Sequence, residues 1–428
     1  MNNCPLFDNP LTVLPGKATM LRHIFLLTHQ FIRHFARNSM AGANNKTIIG
    51  LTGNIAAGKS VVRKMLEHLG AYTIDADSLS HRVMEKDGPA YQPTVDQFGK
   101  FILDDGGRID RTKLGKVVFA DPGAMQSLEQ IIHPYVRQAV DYLISHASQD
   151  VIVIEAIKLL ESPLLEHCET IWVVTTSEKN QLNRLMTKRG MNEGEARQRM
   201  KAQSPQALKA AQADVLIKND DSIEDTWKQV QAGWNQLFAS TPGAVIEEHQ
   251  VSAAAPTAPG AELASADLYA ERAKPGQAQA IADLINKLSG KPGTLSRIDI
   301  MTTFGEKAYM LLLTGDQLVG VMGWQVENLI AQIDEVWLEP TLNLPGAIKI
   351  LLEDIEEAAK QLQAEAALAF VPKRLESQLK PWSDQGFEPR TPEQFTVNAW
   401  REAAEQNQHP ETLLLFKQLR VDRVLRPL

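Results

Sequence analysis

Two periodicities alternate along the first half of the chain. Residues 47–51, 71–74, 151–154 and 170–174 are short apolar bursts rich in β-branched side chains, the composition of buried strands. Between them, residues 59–69 and 124–145 repeat apolar positions at helical spacing. Strands alternating with helices predict an α/β domain over residues 46–239, with a parallel sheet covered on both faces. Residues 240–265 lose the pattern: Thr241-Pro-Gly and Ala253-Ala-Ala-Pro-Thr-Ala-Pro-Gly carry few large apolar side chains and read as a semi-extended linker. A second folded unit, α+β, is expected over 266–428. Its pattern is a strand at 268–272, a helix at 275–288, and a hairpin of 308–313 and 318–324 around Gly315-Asp316. A strand at 331–338 follows, then an amphipathic helix at 347–363 with Ile348, Leu351, Leu352, Ile355 and Ala359 on one face, and strands at 366–371 and 412–419.

Residues 1–45 do not resemble the rest. The stretch from Met20 to Arg37 is apolar with interspersed basic residues and no acids. It reads either as an organelle-targeting or membrane-surface helix or as an extension with no fold of its own, upstream of a start at Met40. We take the second reading, a disordered extension. Composition narrows the classes. Of the 428 residues 44% are hydrophobic and 22% charged, and the net charge is −8. That argues against general affinity for nucleic acid or an anionic membrane. No apolar run approaches the roughly 18 residues of a membrane span. Two distant cysteines, Cys4 and Cys168, make neither a disulfide framework nor a zinc site, so a reducing compartment, the cytoplasm, is expected. Cys168 reads as packing rather than as a nucleophile.

The sharpest motif is Gly53-Asn-Ile-Ala56-Ala57-Gly58-Lys59-Ser60, which follows a strand and opens a helix. That context is what a phosphate-binding loop requires. Its backbone amides from Gly53 to Val61 would cradle phosphate, helped by the partial positive charge of the helix start. Lys59 would reach the β- and γ-phosphates of ATP, and the Ser60 hydroxyl would ligate Mg²⁺. The second strand ends in Asp75-Ala-Asp77, with His81 one turn on. Strand C-termini line the ligand crevice of such sheets. Asp77 is read as orienting or deprotonating an attacking hydroxyl, while Asp75 reads equally as a helix cap. A third cluster, Asn183-Arg184 through Lys188-Arg189-Gly190 to Arg197, Arg199 and Gln203, is either a lid that sets arginines against transferring phosphate or a solvated face balanced by Glu193 and Glu195.

The order of these features resembles the dephospho-CoA kinase family over residues 47–237. The phosphate loop, Asp75-Ala-Asp77 with His81, Ile132-His133-Pro134, the stretch Lys188-Arg189-Gly190 with Ala196, Arg199 and Ala202-Gln203, and Ala213-Asp214 with Ile217 and Asn219 match that family's landmarks in sequence order. The resemblance implies a P-loop kinase with a helical lid, ATP with Mg²⁺, and phosphorylation of the ribose 3′-hydroxyl of dephospho-CoA. It implies Asp77 as the base or orienter, Lys59 and Arg189 as further catalytic groups, and Arg184, Arg189 and Arg199 in the lid. It places Asn219 near the adenine, and His81, His133 and Lys158 toward the acceptor. A kinase of another nucleoside-type acceptor is the alternative. Three departures stand out. Asn54 and Ala56 occupy positions usually held by glycine. Val61 replaces a threonine. After the third strand Glu155-Ala-Ile157-Lys158 replaces an acid followed by Pro-Leu-Leu. Glu155 keeps a carboxylate that could hold Mg²⁺ through water, and Lys158 either meets substrate phosphate or points to solvent.

The second unit resembles the GNAT acetyltransferase fold over 267–420, with Gly386-Phe387-Glu388 like that family's turn. The resemblance implies acetyl-CoA or CoA on a loop before the long helix. In the aligned stretch, Asn343 to Ile348, only Gly346 of the defining positions survives. Pro345 lacks an N–H, Ile348 replaces a small residue, and Trp382 stands where a tyrosine often protonates the leaving thiolate. We expect a structural or ligand-sensing domain, with a bifunctional kinase and N-acetyltransferase as the alternative.

Overall fold

The computed structural model describes residues 46–86, 88–238 and 268–420; the extension and the linker expected from the sequence lie outside them. The described residues from Ile48 onward form one compact unit. The first sheet has five strands: β1 (Thr47–Thr52), β2 (Tyr72–Asp75), β3 (Val151–Glu155), β4 (Thr170–Thr175) and β5 (Val215–Lys218). Their spatial order is β2-β3-β1-β4-β5. The pairs β1/β4, β2/β3 and β4/β5 are parallel, with Ile49 opposite Thr170, Asp75 opposite Glu155 and Trp172 opposite Val215. Every residue of β3 is buried, as a central strand covered on both faces requires. The chain runs from β1 to one side and returns to the other, so the C-terminal end of β1 opens into a topological switch point.

Polar caps fix most helix starts here. Asp75 accepts from the Ser78 amide, Asp110 from Thr112 and Lys113, Asp121 from Gly123, Ser177 from Asn180 and Asn192 from Glu195. The helix Pro122–His146 contains Pro134 in its interior. Pro134 cannot donate, so the carbonyl of Gln130 is left without its helical partner.

The second sheet has seven strands: β6 (Leu268–Arg272), β7 (Ala308–Thr314), β8 (Gln317–Glu327), β9 (Ile330–Leu338), β10 (Ala366–Pro372), β11 (Glu388–Pro389) and β12 (Thr412–Gln418). Their order is β11-β12-β10-β9-β8-β7-β6. Its pairings are antiparallel except β9/β10, which pair in parallel from Ala366–Ile330 to Ala369–Ile333. The helix Leu344–Gln361 supplies the crossover between them and buries Ala347, Ile348, Leu351, Leu352, Ile355 and Ala359, the face the periodicity marks. The fold is therefore a parallel α/β sheet that carries a glycine loop after its first strand, followed by a mixed α+β sheet, the two classes the sequence predicts. The expected helix at 275–288 is split into a tight turn, Pro275–Gln277, and a helix, Ala278–Ser289.

The sheets share their cores. One buried cluster runs from Tyr72, Ile74 and Leu79 to Met310, Trp324 and Leu351; a second runs from Leu51, Val62 and Leu66 to Ile281, Phe304 and Tyr309. The helix Lys59–His68 lies between them and buries even Arg63, Lys64 and Glu67. Those charges are satisfied by one another. Arg63 bonds Glu155 at 2.7 Å and Glu67 at 3.2 Å, and Lys64 bonds Glu67 at 3.0 Å and the Val326 carbonyl of β8 at 3.2 Å.

Candidate functional site

The loop after β1 is shaped by close approach. A Cβ on Gly53 would sit 2.4 Å from the Val174 carbonyl oxygen of β4. Gly58 has φ +101°, and its Cβ would fall 1.9 Å from Asn219 Nδ2. Both positions admit only glycine. Ala56, where the family pattern has glycine, takes φ +57° and carries the corresponding strain. Outside the loop, Arg184 bonds the carbonyls of Ala56 and Ala57 at 3.2 and 3.1 Å and that of Asn219 at 2.9 Å. Asn219 Nδ2 donates to Ala57 at 2.9 Å. Gln203 accepts from the Ile55 amide at 2.8 Å, Gln181 donates to the Ile55 carbonyl at 2.9 Å, and Asn54 reaches the Ser204 carbonyl at 3.1 Å.

The helix that opens at Lys59 differs from those capped above. Its cap is Gly58, with no capping side chain and no acid in the first turn. First-turn amides lack intrahelical acceptors, so this helix start presents donors and partial positive charge with no capping side chain among the described residues to answer them. An anionic phosphate fits it. Lys59 follows directly and is buried. Ser60 is exposed beside it. A hydroxyl there suits an ATP-borne Mg²⁺. Among the described residues, no group of three or more His, Cys, Asp or Glu side chains could hold a metal on its own.

Across from the loop stand the carboxylates. Asp77 accepts from the Ile157 amide at 3.1 Å. Burial raises its pKa above the ordinary value; Lys59 opposes that shift and Asp75 adds to it. Glu155 is raised likewise by burial, against Arg63 and Lys59. Lys209 donates to the Ile157 carbonyl at 2.6 Å, and Thr52 reaches the same oxygen at 3.2 Å.

Asp77 also forms part of the wall of a cavity of about 510 Å³, bounded by Glu129, His133, Pro134, Arg137 and Lys158 among others. Lys158 pairs with Glu129 at 2.8 Å and is largely exposed. The cavity is wide enough for a ligand of cofactor size, and Gln130, with its released carbonyl, lines it.

The structure thus brings Lys59, Asp77 and Glu155 into electrostatic contact, sets Arg184 and Asn219 around the loop, and puts His133 and Lys158 on the cavity. It leaves three expected residues apart. Arg189 ends its helix in solvent. Arg199 pairs with Glu195 at 2.9 Å on an exposed face. His81 lines a separate cavity of about 300 Å³ with Arg111, Glu327 and Glu402. Two residues went unnoticed in the sequence. Arg63 lies one turn after Lys59, a spacing that could have flagged it. Lys209 belongs to no motif.

A parallel sheet with a glycine loop at its switch point, an uncapped helix start and a buried lysine beside a carboxylate define a nucleotide-using kinase of the P-loop class. The family model for dephospho-CoA kinase matches residues 47–225. The dephospho-CoA kinase of Shouchella clausii is 41% identical over 185 residues, covering 42% of this chain and 94% of that protein. The solved dephospho-CoA kinase from Campylobacter jejuni is 25% identical, covers 45% of this chain and 98% of its own, and superposes with a TM-score of 0.32. A GNAT acetyltransferase from Streptococcus pneumoniae is similar over 35% of this chain and 98% of its own, at 14% identity and a TM-score of 0.28. The chain belongs to the dephospho-CoA kinase family, ATP-binding kinases of coenzyme A biosynthesis.

The second sheet offers its implied ligand little. Pro345 has no N–H, and the Gly346 amide is turned to Asn343 Oδ1 at 3.4 Å. Where β9 and β10 part, Arg374 donates to the Val336 carbonyl at 3.1 Å and lies over Trp337 at 5.2 Å. Trp382 is fully buried. At positions 345 and 346 one amide is missing and the other is engaged, and a buried indole stands where the resemblance implies a tyrosine. Among the described residues, no helix is long and apolar enough to cross a membrane.

Proposed function

We propose that the chain transfers the γ-phosphoryl group of ATP to the ribose 3′-hydroxyl of dephospho-CoA, with loop 53–61 holding ATP and the 510 Å³ cavity holding the acceptor. The observation that carries this reading is Asp77, which borders the acceptor cavity and feels the charge of Lys59. Asp77 accepts or orients the acceptor's hydroxyl proton, and the rise in its pKa on burial makes it a stronger base for that task than an exposed carboxylate. Lys59 and the first-turn amides hold the phosphate oxygens as negative charge shifts during transfer. Ser60 would hold the Mg²⁺ that accompanies ATP, and the ion neutralises phosphate charge when bound. Glu155, paired with Arg63, keeps one oxygen for that ion's water. His133 and Lys158 meet the acceptor, the latter by exchanging Glu129 for a phosphate. Arg184 and Asn219 brace the loop from behind, and Arg189 and Arg199 serve only on a lid that closes further. Residues 46–239 form the kinase domain. Residues 266–428 serve structure rather than acetyl transfer, because Pro345 offers no amide, the Gly346 amide is engaged, and the buried Trp382 supplies no acid.

The test is coupled ADP release by the full chain with ATP, Mg²⁺ and dephospho-CoA, beside a Lys59→Ala variant and a panel of nucleosides. Turnover on dephospho-CoA alone, absent from the variant, is the expected result. Turnover on a nucleoside instead would replace the acceptor assignment.

A further inference from the structure

The helix that bears Asp77, Ala76–Arg82, is seven residues long. A helix this short has little stability of its own and takes its position from its anchors. Its first turn is held by the Asp75 cap and by the bond from the Ile157 amide to Asp77. Its last turn is held from the second sheet. Arg82 Nη2 donates to Glu365 Oε2 at 3.0 Å, and Nη1 donates to the Asn328 carbonyl at 2.7 Å. Both charged side chains are almost wholly enclosed, at 4% and 1% exposure.

The receiving end is built rigidly. Glu365 stands just before β10; its amide donates to the Leu329 carbonyl at 2.7 Å, and its carbonyl accepts from Leu419 and Arg420. Asn328 and Leu329 form the tip of the β8–β9 hairpin with φ of +52° and +61°. A leucine in the left-handed region is strained, and such strain persists only where surroundings impose it. Here it turns the Asn328 carbonyl toward Arg82. Beneath the helix lies a cavity of about 50 Å³ bounded by Asp75, Ser78, Leu79, Arg82, Val326 and Asn328, among others. Arg82 Nε is buried with no acceptor among the described residues. Ala76 and Leu79 pack the helix into the core, but the space under its last turn is incompletely filled, so the polar anchor is needed to fix where that turn lies.

We infer that Glu365, a residue of the second sheet, is a positioning residue for phosphoryl transfer: through Arg82 it fixes the helix that carries Asp77 and a wall of the acceptor cavity. The inference rests on the function proposed above. It gives the second sheet a part in the reaction that needs no ligand of its own. It also separates the two substrates. Ala76, Asp77 and Ser80 on this helix face the acceptor cavity, whereas the ATP loop is held by Arg184, Asn219, Gln181 and Gln203 from other elements. Misplacement of a reacting group by about 1 Å can cost about a hundredfold, so a modest tilt suffices.

The test is Glu365→Gln in the full chain, which keeps size and an acceptor oxygen but removes the charge. The expected result is at least a tenfold fall in kcat/KM for dephospho-CoA, with KM for ATP within twofold of the parent. Amide hydrogen exchange should quicken at least tenfold in residues 79–83 and stay unchanged in residues 59–66. Gln363→Ala, which loses a different contact between the sheets, to the His146 carbonyl at 2.9 Å, should leave both KM values and the exchange of residues 79–83 alone. If Glu365→Gln does not fold, the double variant Arg82→Met with Glu365→Leu removes both buried charges together, a change that buried ion pairs often tolerate, and is read in the same way. Equal loss for both substrates, or unchanged exchange in residues 79–83, overturns the inference. A parent chain without turnover on dephospho-CoA would overturn the proposed function instead, and the exchange measurement would still decide the anchor.

Discussion

Gly58→Ala probes the phosphate loop at the point where its geometry is most demanding. Gly58 sits at φ +101°, outside the basins of an L-residue, and forcing a side chain there costs about 1–2 kcal/mol. The new methyl would also lie 1.9 Å from Asn219 Nδ2 and 3.1 Å from its Cγ. Asn219 is buried and cannot swing away freely; it donates to the Ala57 carbonyl at 2.9 Å and accepts from Thr226 at 3.2 Å. Each of those bonds is worth about 0.5–1.5 kcal/mol. The sum is about 2–5 kcal/mol, and it falls on the one arrangement of the loop that binds ATP. At 1.4 kcal/mol per tenfold, the lower end corresponds to about a thirtyfold rise in KM for ATP. KM for dephospho-CoA should stay near that of the parent, because its cavity is built from other residues. Coupled ADP release with each substrate varied in turn reads both constants, and a thermal melt confirms that the variant is folded. A folded Gly58→Ala protein with KM for ATP within threefold of the parent would refute the claim that this glycine shapes the phosphate cradle.

Ala56→Gly should relieve the positive φ at Ala56; strain of about 1–2 kcal/mol, less the greater freedom of glycine in the unfolded chain, leaves a gain of about 0.5–1 kcal/mol by denaturant unfolding. Asp77→Asn should lower kcat about 10²- to 10⁴-fold with little change in KM for ATP; a fall below tenfold would remove Asp77 from the proton's path. His68 is buried against Phe304, donates to its carbonyl at 2.9 Å, and has its pKa pushed down to about 3, chiefly by burial and then by Arg272. Because the unfolded chain takes up a proton below about pH 6.5 and the folded chain does not, stability falls as pH drops from about 6.5 toward 3, by up to about 1.4 kcal/mol per pH unit. His68→Gln should flatten that slope in urea titrations between pH 6.5 and 5; an identical slope would show that another group carries it.

Much of this molecule was legible as pattern. Bursts of β-branched residues located β1 to β4 within about a residue, because a strand buried on both faces has no freedom to be polar. The glycine loop was readable because Gly53 and Gly58 meet constraints no other residue satisfies. Asp77 stood out by its place at a strand end. What stayed hidden depends on contacts distant in the chain. Glu365 looks like any charged residue near a strand start; only the fold buries it against Arg82. Lys209 reaches the Ile157 carbonyl from a short helix, Gln206–Ala210, with no periodicity to mark it. His81 and Arg199 carry the right chemistry at the right spacing, yet one helix turn decides which way a side chain faces. The short helix Arg297–Thr303 fell below the length at which periodicity speaks.

The replacement of threonine by Val61 next to the phosphate loop acquires a reason from the shared core. Val61 packs on the second sheet's side of the molecule, and a Cβ on Gly305 would come within 3.1 Å of it. A hydroxyl there would face apolar neighbours, while Gly305 leaves room for the branched methyls. The pair is a small ratchet between halves: enlarging Gly305 or restoring a polar residue at 61 disturbs the other partner. The second half is then constrained on the face it turns to the kinase, and exchange of either half for that of a stand-alone relative should yield an insoluble chimera unless the opposing face is exchanged with it.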